Sequence, residues 1–567
     1  MSTGQTSFEL VDPTHPQLHP ELTAEQIETV GRYGRCRPFS PGERLFNHGQ
    51  RDAPFIVLKA GRVDVYERHS PTQRQLIAHV VPGRFIGDLS MFTGEPTVAE
   101  AEAAEPCEAL VLEREQLRRL ITEHTYVGEI ILKCLMNRRE WLRGNDLGYV
   151  KLIGSRFSED CYNLRDFMTR NGVMHRFYDV ESDDESQLLL DEFGIQPHQT
   201  PVIIHSKGVD RNPTIGEVAR TLGLDRELDD QHVHDVVVVG GGPGGLGAAV
   251  YAASEGLDTL VIESRYPGGQ AGASARIENY LGFPTGLSGN ELTEKAVIQA
   301  KKFGATLVTP RKATAIDADG SIKTVTLDDG TKVRGRVVVL ACGADYRRLD
   351  GCTTRYEGKG VYYGTTYTEA ERFRGRAVAV IGGGNSAGQA AVYLAKFAER
   401  VHMVIRKPDL SKGMSRYLAD RIGSTDNIEL IPNAEVGDCD GDERLTHIHV
   451  KPIGRADANG KTSRCLDVDA MFVMIGVDPR TDWLKGCVGL DEKGFVLTGM
   501  DAVGHPDFIE QWTNTDAPPA HLETTRPGVL AVGDVRHGST NRVAAAIGEG
   551  GMAVTFCHRI LAKMPRR

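Results

Sequence analysis

Two apolar strands that each run directly into a glycine-rich turn and a small-residue helix constrain this chain more than any other feature. In the first, Asp235-Val236-Val237-Val238-Val239 leads into Gly240-Gly241-Gly242-Pro243-Gly244-Gly245 and a helix carrying Ala248, Ala249, Ala252 and Ala253. A strand without polar alternation is buried on both faces, which predicts a parallel α/β sheet. Gly240, Gly242 and Gly245 fit G-x-G-x-x-G: the first permits a tight turn, the second lets backbone N–H groups reach a pyrophosphate, and the third lets helix pack on strand. The helix N-terminus adds its dipole to such an anion site, with Pro243 and Gly244 in its first turn. The next strand, Thr259-Leu260-Val261-Ile262, ends in Glu263, an acid placed to accept ribose hydroxyls.

The pattern recurs. Ala377-Val378-Ala379-Val380-Ile381 runs into Gly382-Gly383-Gly384-Asn385-Ser386-Ala387, with Ala387 in the third glycine position. Its following strand, 401–405, ends in Arg406-Lys407 rather than an acid. A cationic pair suits a 2′-phosphate, so the second finger predicts NADPH over NADH.

At 567 residues the chain exceeds a single core, and three or four domains are expected. The net charge of -11 argues against a dedicated nucleic-acid binder. No run of 18 apolar residues predicts a membrane span, and the polar N-terminus is not a signal peptide. A cytoplasmic protein is expected. The ten cysteines form no Cys-x-x-Cys pair, which reads as free, mostly buried thiols without a disulfide frame or metal site. Residues 20–145 carry short alternating segments with glycine punctuation, an all-β signature, ending in helical sequence over 114–143. Residues 148–222 read β-α-β-α-β-β-α. The Asp- and His-rich stretch 225–235 reads as a solvated linker.

Residues 233–567 resemble low-molecular-weight thioredoxin reductase and its relatives along their whole length. Beyond the two fingers, Pro267-Gly268-Gly269-Gln270 and Ile277-Glu278-Asn279-Tyr280 look like that family's flavin-contacting segments. Gly533-Asp534-Val535 resembles the segment whose acid binds the FAD ribityl chain, and Arg542-Val543-Ala544 lies where the family closes over the flavin. The resemblance implies FAD and NADPH as cofactors, a homodimer, and two nested Rossmann-like domains: 233–360 with 481–567 for FAD, and 361–480 for the nicotinamide. The reductases that act on thioredoxin open their nicotinamide domain with Cys-x-x-Cys; here Gly360-Val361-Tyr362-Tyr363-Gly364-Thr365-Thr366-Tyr367 holds neither cysteine. Thr and Tyr cannot carry two electrons as a disulfide can. The expected activity is hydride transfer from NADPH to FAD, then to an unidentified protein or small-molecule acceptor. Ferredoxin– or flavodoxin–NADP reductase-like activity and a redox or ligand sensor are the alternatives. No catalytic side chain is identified. Cys342 and Cys352 read as structural.

The N-terminal region, 1–147, resembles a cyclic-nucleotide-binding β-roll through Pro41-Gly42-Glu43-Arg44-Leu45-Phe46, Gly61-Arg62-Val63 and Phe85-Ile86-Gly87-Asp88-Leu89-Ser90. Asp88 stands where an acid for the ribose is expected. Thr97 stands where an Arg for the cyclic phosphate would be, and a hydroxyl does not neutralise a phosphate. A degenerate regulatory or docking module is favoured, with cyclic-nucleotide binding the lesser alternative. Residues 148–224 resemble a glutaredoxin or thioredoxin fold, with Thr200-Pro201 like the family's cis-proline turn. Ser158-Glu159-Asp160-Cys161 keeps only the second thiol of that motif. Cys161 is a possible redox thiol whose pKa the helix start would lower, set against a packed thiol. The expected fold is therefore a multidomain α/β protein: β-roll, thioredoxin-like domain, the 225–234 linker and two nested Rossmann-like domains.

Overall fold

The computed structural model describes residues 15–564 apart from 69–73, 146, 149, 275, 350, 365–366, 412, 454–462 and 513–516. The chain divides into two units, 1–227 with 298–310, and 228–297 with 311–567.

The first unit opens with two four-stranded antiparallel sheets. One runs in the order Arg35–Phe39, Cys107–Leu112, Phe55–Ala60, Phe85–Ile86; the other runs Arg44–Phe46, Ala99–Ala103, Val63–Arg68, Arg74–Val80. Their inward residues, among them Phe55, Ile56, Leu58, Phe85 and Ala101, form one core that also takes Leu117, Leu120, Ile131 and Leu135. The helical stretch expected over 114–143 is two helices, Arg114–Glu123 and Thr125–Gly144, because His124 leaves helical geometry with φ -120 and ψ 80.

A third sheet follows in the order His175–Asp179, Val150–Gly154, Val202–His205, Gly208–Arg211, with helices Glu159–Arg170, Asp184–Glu192 and Ile215–Thr221. Element order is β-α-β-α-β-β-α, and the Thr200–Pro201 peptide is cis.

In the second unit the strand Val233–Val239 lies between Thr259–Ile262 and Lys332–Leu340, parallel to both, and Val529–Ala531 pairs in parallel with Lys332–Leu340. Val236, Val237 and Val238 are fully buried, as a doubly covered strand requires. A second, five-stranded parallel sheet runs in the order Val361–Tyr362, Ala470–Val473, Ala377–Ile381, Arg400–Val404, Ile428–Ile431. The short antiparallel pair Ala344–Tyr346 and Val477–Pro479 is where the chain leaves the first sheet for the second and returns. The helices Pro243–Ser254 and Val543–Leu561 pack backbone to backbone: a Cβ on Gly550 would collide with the carbonyl oxygen of Gly244, and one on Gly247 would lie 3.0 Å from that of Ile547. Among the described residues no helix is long and apolar enough to cross a membrane.

One expectation is corrected here. Cys439 is disulfide-bonded, so the cysteines are not uniformly free; distance along the sequence hides pairs that the fold brings together. At the end of the 225–235 stretch, His232 and His234 both pair with Asp258.

Candidate functional site

The carboxyl ends of strands 233–239, 332–340 and 529–531 lie side by side, tied by Ala341 N–H donating to the Val239 carbonyl and Val532 N–H to that of Leu340. In open parallel sheets this edge is where ligands bind. Gly240 leaves the first strand at φ +112, and a Cβ there would collide with the Ala341 carbonyl oxygen and sit 2.9 Å from Cα of Cys342. Only glycine fits. Gly242 caps the following helix in extended geometry, Pro243 occupies its first turn, and Gly244 and Gly245 are buried behind them. A Cβ on Gly245 would collide with the Gly240 carbonyl, so its absence lets helix and turn close on each other.

Near Gly242 the space differs: the nearest atom to a Cβ would be Cα of Gly269, 4.0 Å away. That opening, beside uncapped helix N–H groups, fits a pyrophosphate. Glu263 is buried, accepting from Gly241 N–H at 2.7 Å through one oxygen and from Arg265 N–H at 2.9 Å through the other. It therefore fixes the turn as well as offering an acceptor.

Two of the segments expected from the sequence to contact a flavin, 267–270 and 533–535, fold onto the same edge. Gly268 and Gly269 have φ +98 and +52, and Gly268 N–H donates 2.7 Å to the Gly241 carbonyl, laying 267–270 across the glycine turn. Gln270 donates its amide to the Ala344 carbonyl. Gly533 (φ +70) follows strand 529–531, and burial pushes the adjacent Asp534 carboxyl up, with the Glu549 charge adding to it. Arg542 caps the helix that Val543 and Ala544 begin; Arg542 and Ala544 are exposed. Asn279 is exposed, and no hydrogen bond engages it among the described residues.

Sequence reasoning missed Glu549 and Arg536. Glu549 accepts from Gly533 N–H at 2.6 Å and from Arg536 at 2.5 Å, bracing the turn that carries Asp534. The sequence shows only a lone acid within the small and apolar sequence of helix 543–561, with nothing to name its partners.

The second finger repeats the first. Gly382 has φ +137, and a Cβ there would collide with the Met474 carbonyl oxygen, as Gly240 would with Ala341. Gly384 caps the helix Asn385–Leu394, Ser386 is exposed in its first turn, and Ala387 is buried. Asn385 accepts from Ser415 N–H at 2.7 Å, drawing the 407–415 loop over the finger. Arg406 and Lys407 are exposed beside it, Arg406 in a 3.0 Å ion pair with Glu435. Thr365 and Thr366, in the stretch that lacks the cysteine pair, lie outside the described residues.

Two of the thiols are poor nucleophiles. Burial pushes Cys342, beside Gly240, up to about 12, and does the same to Cys161. Cys161 does sit in the first turn of its helix, with its N–H donating to Ser158 Oγ at 3.3 Å, but it is 1% exposed. The pKa lowering expected from the helix start is overturned because desolvation of the thiolate outweighs the dipole there.

In the β-roll, Thr97 is buried, donating 2.7 Å to the Asn47 carbonyl and accepting from Gln50 N–H at 3.2 Å. Asp88 accepts from Ser90 N–H at 2.8 Å. Burial alone would lift the Glu95 carboxyl, but the Arg139 and Lys301 charges, 2.8 and 3.3 Å away, hold it down to about 2. Thr97, where the phosphate-binding Arg would stand, thus spends its hydroxyl on backbone, and the neighbouring Glu95 is already paired with two cations.

Comparison with known proteins agrees with this geometry. Residues 234–550 match the pyridine nucleotide-disulphide oxidoreductase family model, and 36–124 match the cyclic nucleotide-binding domain. The chain is 31% identical over 325 residues to a thioredoxin reductase of Listeria innocua, covering 57% of this chain and 92% of that protein. It is 32% identical over 334 residues to a thioredoxin reductase of Mycolicibacterium smegmatis, covering 59% and 98%. The crystal structure of Lactococcus lactis thioredoxin reductase superposes with a TM-score of 0.51 at 26% identity, over 58% of this chain and all of that one.

Proposed function

Because this chain belongs to the pyridine nucleotide-disulphide oxidoreductase family, whose thioredoxin reductase members use FAD and NADPH, we propose that it oxidises NADPH and delivers the two electrons to an acceptor without a Cys-x-x-Cys of its own. Bound FAD supplies the hydride-accepting chemistry. The observation that carries the reading is the pair of glycine turns, Gly240 and Gly382, each pressed against the carbonyl of a neighbouring strand so that the following helix N-terminus stays open to a pyrophosphate.

On this reading Gly242 and the N–H groups after Pro243 hold the FAD pyrophosphate, Glu263 accepts from the adenosine ribose, and Asp534 meets the ribityl chain. Gln270, held by Ala344, would fix the 267–270 turn for a bound flavin. Burial and the nearby Glu549 charge both push the Asp534 carboxyl up. Gly384 and the helix it caps take the nicotinamide pyrophosphate, and Arg406 with Lys407 takes the 2′-phosphate.

Electrons leave by direct contact with a docked disulfide, ferredoxin, flavodoxin or other acceptor, since the nicotinamide domain opens without the Cys-x-x-Cys that would relay them. Rapid mixing of the FAD-loaded protein with NADPH tests this. Loss of the oxidised flavin band, followed by its return on adding the acceptor, is expected; a band untouched by NADPH refutes the proposal. A panel of disulfides, ferredoxin, flavodoxin and oxygen, read as NADPH consumption, then assigns the acceptor.

A further inference from the structure

Where the chain enters the second unit, two imidazoles and a carboxylate converge outside both dinucleotide sites. His232 precedes and His234 belongs to the strand Val233–Val239, so at spacing i, i+2 they share a face. Asp258 ends the turn before the parallel neighbour Thr259–Ile262. Nε2 of His232 lies 2.6 Å, and Nδ1 of His234 3.1 Å, from the same oxygen of Asp258, and the three atoms all fall within 4.8 Å of one another. The two rings meet edge to face, with centroids 4.5 Å apart at 73°.

The geometry points to a divalent transition-metal site formed by His232, His234 and Asp258, of the kind that takes Zn²⁺, closing the first strand of the FAD-domain sheet onto its neighbour. A tetrahedral Zn²⁺ bound at about 2.0–2.1 Å by nitrogen and oxygen has ligand–ligand edges of roughly 3.3 Å. The two short edges here are within an ångström of that figure, so rotation about side-chain bonds suffices. Two imidazoles with one carboxylate suit Zn²⁺, Co²⁺ or Ni²⁺, whereas Mg²⁺ and Ca²⁺ want oxygen alone.

The ligands are also braced from behind. Asp258 N–H donates 3.1 Å to the Asp235 carboxylate, and its carbonyl accepts from Val236 N–H at 3.1 Å. Such second contacts orient a ligand before the metal arrives. His232 and Asp258 are 43% and 39% exposed at the side chain while His234 is 14% exposed, so one side opens to water for the remaining coordination position. The cluster lies at the amino end of the strand whose carboxyl end carries Gly240, roughly 20 Å away at 3.3 Å per residue. At that distance its part is to staple the sheet, not to act on the flavin.

The full-length, FAD-loaded protein, freed of metal by chelator and dialysed, is the material for the test. Zn²⁺ alone is expected to bind at about one equivalent per chain and to raise the melting temperature, and His232→Gln, an exposed position, is expected to abolish both effects. In the unmutated protein Co²⁺ is expected to give a visible band beyond the flavin absorption that Zn²⁺ displaces. Absence of Zn²⁺ uptake, uptake unchanged in His232→Gln, no displaceable Co²⁺ band, or Mg²⁺ bound in preference would each overturn the proposal.

Discussion

Gly242→Ala separates the cofactor role of the first finger from its folding role. Gly242 has φ -73 and ψ -177, ordinary extended backbone, and a Cβ there would come no closer to the protein than 4.0 Å. The fold should accept it at a cost of about 1 kcal/mol or less, the difference between Gly and Ala at a helix cap. The methyl group fills the space where a pyrophosphate would meet the helix N–H groups. Losing two hydrogen bonds to a charged group, about 1.5 kcal/mol each, gives about 3 kcal/mol, roughly a hundredfold in affinity. Gly240→Ala should behave in the opposite way. Its φ of +112 strains any side chain by about 1–3 kcal/mol. A Cβ there would also lie 2.6 Å from the carbonyl carbon of Ala341, a buried backbone atom just past the end of strand 332–340. The assay is a flavin-fluorescence titration of each apoprotein beside its thermal melt. Gly242→Ala should melt near the parent and bind FAD about a hundredfold more weakly, whereas Gly240→Ala should melt lower before any FAD is added. A Gly242→Ala protein that binds FAD as tightly as the parent refutes the assignment of the pyrophosphate to this turn.

Arg406 is 77% exposed, so its ion pair with Glu435 adds little stability, and Arg406→Glu should leave the melt unchanged. The same variant should lower kcat/KM for NADPH by about tenfold or more while sparing NADH, measured as steady-state oxidation of each. Glu95 is held at about 2 in the folded state against an ordinary 4.5, so its contribution, at most about 3 kcal/mol, is complete above pH 4.5 and is lost as pH falls towards 2. Glu95→Gln should therefore destabilise the protein at neutral pH and flatten the melting profile across that acid window. Iodoacetamide at pH 8 should label exposed Cys465 and spare native Cys161, Cys342 and Cys557, each pushed up to about 12 by burial, as read by peptide mass spectrometry.

What the sequence revealed and what it hid divide along the range of the interactions. The glycine fingers were readable because each glycine is demanded by backbone within a few residues or by the adjacent strand, and the parallel strands because Val236–Val238 leave no polar face. Glu549, Arg536 and the His232–His234–Asp258 cluster were not, since their partners lie 13 to 26 residues away and meet only in three dimensions. Cys161 failed for a related reason: the helix start that would lower its pKa is local, while the burial that raises it comes from packing against Gly154, where a Cβ would approach its sulfur to 2.9 Å. One difference between the fingers, Ala387 in the third glycine position, has a comparable origin. At Gly245 a Cβ would collide with the carbonyl of Gly240, whereas Ala387 keeps its own Cβ at 3.3 Å from where one on Gly382 would stand. Gly244 and Gly247 on the first helix also receive the backbone of helix 543–561, whereas Gly388 on the second meets the side chains of Met414 and Ile422. Ala387 is thus no defect in a degraded motif but the residue a finger can keep when its helix stands slightly farther from its own turn.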